Sequence, residues 1–77
     1  MYLILGRDEI VPEEDVIGVF DLDNVSWSRR TREYLASGEK SGRVENLSDG
    51  LPRSLVVTAT RDYLSQLTPN RIANRRI

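Results

Sequence analysis

Apolar residues along this chain fall in short clusters separated by charged or turn-forming stretches. Residues 2–5, Tyr-Leu-Ile-Leu, are predicted as a strand, and Gly6-Arg7-Asp8 as a turn into a second short strand over 9–11. Pro12 followed by Glu13-Glu14-Asp15 then breaks the pairing, because proline has no ladder donor. Residues 16–22, Val-Ile-Gly-Val-Phe-Asp-Leu, are nearly continuous rather than alternating, the pattern of a central strand covered on both faces. Covering both faces takes more protein than 77 residues readily supply, so the run points to self-association.

Asn24, Ser26 or Ser28 caps a helix running to about Ser37, with Gly38 as its left-handed stop and Gly38 to Gly42 as a loop. Trp27, Tyr34 and Leu35 form the apolar stripe, leaving Arg29, Arg30 and Arg32 mostly off it, and Arg29 stands four residues before Glu33. Residues 44–47 are predicted as a short edge strand before a turn at Asp49-Gly50. The β-branched run over 54–60 is the clearest strand, and Arg61-Asp62 connects it to 63–67 as a hairpin. Thr68-Pro69 matches a cap with proline at the first helical position, opening a short helix to Arg76 that packs Ile72, Ala73 and Ile77.

The expectation is an α+β fold: a small twisted antiparallel or mixed sheet of about five short strands, one central helix and a short C-terminal helix. Its 77 residues are read as a single domain, 1–77, in which a cleft between two lobes has no room.

Composition narrows the chemistry. The chain has no Cys and no His, which excludes disulfides and thiolate zinc sites and removes the commonest general base. The first apolar run is too short for a signal core or a membrane span, so the protein is read as soluble and cytoplasmic, without membrane partners. At 39% hydrophobic and 30% charged residues, it is read as a folded domain rather than a disordered tail.

Eleven Lys and Arg against twelve Asp and Glu give a formal net charge of −1, but the charges are segregated. Residues 1–23 hold seven carboxylates and one cation, net −6, and the remainder holds ten cations and five carboxylates, net +5. Ten of the eleven cations are Arg, the side chain suited to bidentate contact with phosphate or carboxylate. Such a chain fits two partners, a nucleic-acid backbone or the acidic segment of another copy of itself.

Two carboxylate motifs invite a catalytic or metal reading. A hydrophobic strand ending in Asp21-Leu22-Asp23 is similar to the first motif of haloacid-dehalogenase-type phosphatases, where the two Asp act as nucleophile and acid-base. The doubly wound sheet, downstream Lys and further magnesium carboxylates of that chemistry do not fit in 77 residues. Glu13-Glu14-Asp15 cannot turn three adjacent carboxylates onto one cation, and reads as a solvated turn. No enzyme activity, metal or cofactor is expected.

Arginines at 29, 30 and 32, at 53, and at 71 and 75 are the candidate nucleic-acid-binding residues. The plainer reading of each is a solvated face or a subunit salt bridge. If copies display them in a ring or along one face, shallow basic patches merge into a track for DNA backbone.

Several segments taken together carry a family resemblance: Tyr2-Leu3-Ile4-Leu5-Gly6, Val16 to Asn24, Thr31-Arg32-Glu33-Tyr34-Leu35, Leu51-Pro52-Arg53-Ser54, and Tyr63-Leu64-Ser65 with the tail from Thr68 to Arg75. In that order they resemble the RemB (YaaB) branch of the bacterial RemA-like family, over essentially the whole chain. The resemblance implies a small cytoplasmic regulator of extracellular matrix and biofilm genes, a ring-like homo-oligomer that binds duplex DNA. The alternative is a self-assembling interaction module that partners a RemA-like regulator and never touches DNA. Against the RemA branch, Arg53 keeps a cation before the clearest strand, while Leu51 and Pro52 stand where further Arg is expected and Asp15 carries the opposite sign.

Overall fold

The computed structural model describes residues 1–23 and 29–77, with side chains from Arg32 onward in the second stretch. The caps at Asn24, Ser26 and Ser28, the apolar Trp27 and the Arg29–Glu33 pairing therefore lie outside the described residues.

The chain opens with a hairpin, β1 (Tyr2–Gly6) and β2 (Glu9–Pro12), paired antiparallel with Leu3 opposite Val11 and Ile4 opposite Ile10. Its turn needs two positive φ values, 131° at Gly6 and 50° at Arg7. Only glycine accepts the first without strain. A single 3-10 turn (Glu13–Asp15) leads into β3 (Val16–Asp21). Helix α1 (Arg29–Ser41) is followed by β4 (Val44–Asn46), β5 (Ser54–Thr58), β6 (Asp62–Ser65) and the short helix α2 (Pro69–Ala73).

The strands form two sheets rather than one. The hairpin is a two-stranded sheet, and the other four strands are ordered β3-β5-β6-β4, with β4 parallel to β6 and the other neighbours antiparallel. The fold is thus α+β, but with six strands among the described residues where about five were expected. The hairpin closes through its own tight turn and lies on a face of the larger sheet: Leu3, Leu5 and Val11 pack with Val56, Tyr63, Leu47 and Ile72 from α2. Alternation along β5 and β6 sends Leu55 and Leu64 to the other face, where they meet Leu22, Val44 and Leu35 of α1. Helix α1 therefore packs at the β4 side of that face and is not a central helix.

Three more expectations are corrected. Among the described strands β3 pairs with β5 alone, at the sheet edge, and its apolar run leaves Ile17 72% and Phe20 53% exposed instead of covered. Helix α1 continues through Gly38 to Ser41, and the left-handed stop is Gly42, at φ 82°. Gly38 is needed for close approach instead, since a Cβ there would stand 2.3 Å from Val44 Cγ2. Helix α2 ends at Ala73, because Arg76 is bridged to Leu3 and Ile77 exchanges two backbone hydrogen bonds with Tyr2. Of the apolar residues assigned to that helix, Ile72 is buried while Ala73 and Ile77 are exposed.

Candidate nucleic-acid interface

Thr68 caps α2 as the sequence implies: its hydroxyl accepts from the Arg71 backbone N–H at 3.3 Å, and Pro69 follows in the first turn. Arg71 lies in α2 and Arg75 just past its Asn74 cap. With Asn74 between them they line a shallow depression of about 390 Å³. Both are exposed, and no carboxylate of the described residues stands within ion-pair distance of either. Arg76 is different, since its guanidinium is 3.0 Å from Glu13 Oε1.

Arg53 is fixed by its backbone. Its N–H donates to the Ser65 carbonyl at 2.8 Å and its carbonyl accepts from Leu22 N–H at 2.9 Å, so it is held where β3, β5 and β6 converge. The side chain reaches outward, with Nε 4.0 Å from Asp23 Oδ2 and both groups about half exposed. A pair this long and this wet contributes little, and the guanidinium can exchange it for a phosphate. Asp21 turns inward on the local backbone, accepting from the Asp23 N–H at 2.9 Å. Arg32 is exposed on α1, on the rim of a groove lined by Leu35, Ala36, Leu51, Pro52 and Leu64. Arg29 and Arg30 are the first two residues of α1, and their side chains lie outside the described residues.

The predicted arginines do not make one surface on one subunit. Because α1 packs on the Leu55 and Leu64 face and α2 on the Val56 and Tyr63 face, Arg32 and the Arg71–Arg75 pair belong to opposite faces of the larger sheet. Arg53 sits at the strand ends between them.

The sequence of this chain is 32% identical over 75 residues to extracellular matrix regulatory protein B of Bacillus subtilis (strain 168), covering 97% of this chain and 89% of that relative. The chain belongs to the extracellular matrix regulatory protein B family. No family model matches it. Among the described residues no helix is long and apolar enough to cross a membrane.

Leu51 is 80% exposed and Pro52 half-buried beside it, so these two form an apolar wall next to Arg53. Asp15 is exposed just ahead of β3, with its carbonyl accepting from the Ala59 N–H at 3.0 Å. A second polar cluster was not singled out from the sequence. Tyr34 donates to Asp62 Oδ2 at 3.0 Å, Arg43 lies over the Tyr34 ring at 5.8 Å, and Arg61 stands 3.5 Å from Glu45. Its one sequence signal is a carboxylate, Asp62, inside a strand whose residues are otherwise buried and mostly apolar. The hydrogen bond to Asp62, then that carboxylate's charge, hold the Tyr34 hydroxyl above its ordinary pKa, against a smaller opposing pull from Arg43. Burial does the same to Tyr63, aided by Glu9.

Proposed function

We propose that this protein regulates extracellular-matrix gene expression as a cytoplasmic homo-oligomer that binds duplex DNA through arginines repeated around the assembly. The observation that carries the reading is the Arg71–Arg75 pair, exposed in one depression with no carboxylate partner among the described residues. A relative named as an extracellular matrix regulatory protein over almost the full chain supplies the biological process. Two cations give one subunit only a weak hold on phosphate, because affinity grows with the number of phosphates neutralised. Assembly multiplies them, and Arg53 and Arg32 extend the track where neighbouring copies meet. On this reading the protein is a single-domain, non-enzymatic regulator with no cofactor.

A second reading is favoured by exposed apolar side chains, with Ile17 72% and Leu51 80% accessible. On that reading the same assembly partners a RemA-like regulator and leaves DNA contact to it. Fluorescence anisotropy of a labelled duplex separates the two. Association at low salt by the protein alone supports DNA binding, and no association up to tens of micromolar protein assigns the protein to the interaction-module reading.

A further inference from the structure

Of the ten Asp and Asn residues in this chain, only Asp49 is followed by glycine. That step lies in the irregular segment between β4 and β5, and the Asp49 side chain is 81% exposed. Side chains hold the bend around it: Asn46 Oδ1 accepts from the Ser48 N–H at 2.9 Å, and Ser48 Oγ donates to the Gly50 carbonyl at 2.8 Å. The Gly50 N–H makes no hydrogen bond among the described residues, and nothing stands within 4 Å of where a Cβ would be. A carboxyl carbon and an unhindered backbone nitrogen are thus neighbours on an exposed bend. One group restrains the carboxylate. Arg7, at φ 50° in the turn between β1 and β2, pairs with Asp49 Oδ1 from 42 positions away in sequence.

We propose that Asp49–Gly50 is a site of spontaneous covalent modification, at which Asp49 converts through a succinimide to isoaspartate, and that the Arg7 ion pair slows the conversion. The Gly50 nitrogen attacks Asp49 Cγ and the new C–N bond closes a five-membered ring. One carboxylate oxygen leaves as water, taking the amide proton and a proton from solvent. Water then adds to either ring carbonyl and breaks that carbonyl's bond to nitrogen, which regains its proton while the new carboxyl group returns one to solvent. Addition at Cγ restores aspartate. Addition at the Asp49 main-chain carbonyl leaves the chain running through Cβ and Cγ, one methylene longer, with the carboxylate on Cα. Glycine favours closure because no Cβ crowds its nitrogen and its backbone rotates freely. Arg7 opposes closure, since a carboxylate held by the guanidinium must leave that contact before its carbon meets the Gly50 nitrogen. In the product the carboxylate sits one bond closer to the backbone, which releases the hairpin turn from the segment leading to Leu51 and Arg53.

The reaction needs neither DNA nor a second copy of the chain, so its test is independent of both. The full chain is held at neutral pH and physiological temperature for weeks and sampled by tryptic digestion. Cleavage after Arg43 and Arg53 releases the 44–53 peptide, whose isoaspartyl form has the same mass, separates by chromatography and is identified by electron-transfer fragmentation. This form is expected to accumulate in the wild type, and Gly50→Ala should lose most of it. Arg7→Asn removes the charge with a residue that tolerates positive φ, and circular dichroism checks its fold. An exposed ion pair is a weak restraint, so folded Arg7→Asn is expected to react about two- to fivefold faster than the wild type. In concentrated urea the two should react at one rate, because the pair exists only in the folded chain. Absence of the isoaspartyl peptide from both the wild type and Arg7→Asn, or an undiminished yield in Gly50→Ala, overturns the site. Equal rates in the folded proteins, or a difference that persists in urea, overturns the restraint by Arg7.

Discussion

Ser65 Oγ donates to the carbonyl of Leu5 at 2.6 Å, joining β6 of the larger sheet to β1 of the hairpin. The same hydroxyl accepts from Leu67 N–H at 3.1 Å, and Ser65 is fully buried. Leu5 is also fully buried, so its carbonyl has no replacement water. Ser65→Ala is therefore expected to destabilise by about 1–3 kcal/mol, since the loss leaves a buried carbonyl unpaired. Urea denaturation checks this, and a change below about 0.5 kcal/mol, the least a typical hydrogen bond contributes, contradicts it.

Gly38 and Val44 give a second prediction. With only 2.3 Å between a Cβ on Gly38 and Val44 Cγ2, and a stiff β-branched side chain on the other side, Gly38→Ala forces α1 away from β4. The expected cost is about 1–3 kcal/mol, despite the better helix propensity of alanine. A double-mutant cycle with Val44→Ala should show favourable coupling, because removing the two γ-methyl groups makes room for the new one. Additive effects would show that the clash is absent.

The Tyr34–Asp62 hydrogen bond gives a pH dependence with a definite sign. The folded state holds the Tyr34 proton more tightly than the unfolded chain, so this contribution is complete below the ordinary tyrosine pKa of about 10. It is lost as pH rises through the elevated folded value. Stability is expected to fall above about pH 10, and Tyr34→Phe should make that fall shallower while lowering stability at neutral pH. Chemical denaturation across this range, alongside a phenolate absorbance titration, checks it; an unchanged alkaline slope in the variant would falsify the assignment.

Arg53→Glu separates DNA contact from assembly. The Arg53 backbone is fixed by two hydrogen bonds that do not involve its side chain, and its one ion pair among the described residues is the 4.0 Å approach to Asp23. Charge reversal should leave the oligomer mass unchanged and weaken binding to duplex DNA by at least about tenfold at low salt. Loss of the oligomer instead would place Arg53 in the subunit contact.

Local chemistry made much of this fold legible in the sequence. The Gly6 turn, the β5–β6 hairpin and the Thr68–Pro69 helix start each depend on residues close in the chain and are present, although Asp62 belongs to β6 rather than to the connection and Pro12 still pairs with Tyr2, so the break falls after it. What depends on distant pairing was not legible. A continuous apolar run fits both a two-sided central strand and an edge strand, and β3 is the latter. Gly38 and Gly42 look alike as helix stops until Val44 is seen packed on the first. The C-terminal helix is shortened by Tyr2 and Leu3, some seventy residues away in sequence. Arg32, Arg53, Arg71 and Arg75 are exposed, yet nothing in their spacing shows that Arg32 and Arg71 belong to opposite faces of a sheet.

The dependence of DNA affinity on salt tests the central claim most directly. One subunit offers the Arg71–Arg75 pair, and two neutralised phosphates give a slope of log affinity against log salt of about −1.8. If repeated subunits present their arginines to one duplex, the slope is expected to be about −4 or steeper. A slope no steeper than that of a single pair, or no binding at the lowest salt, would contradict DNA recognition by an assembled arginine track.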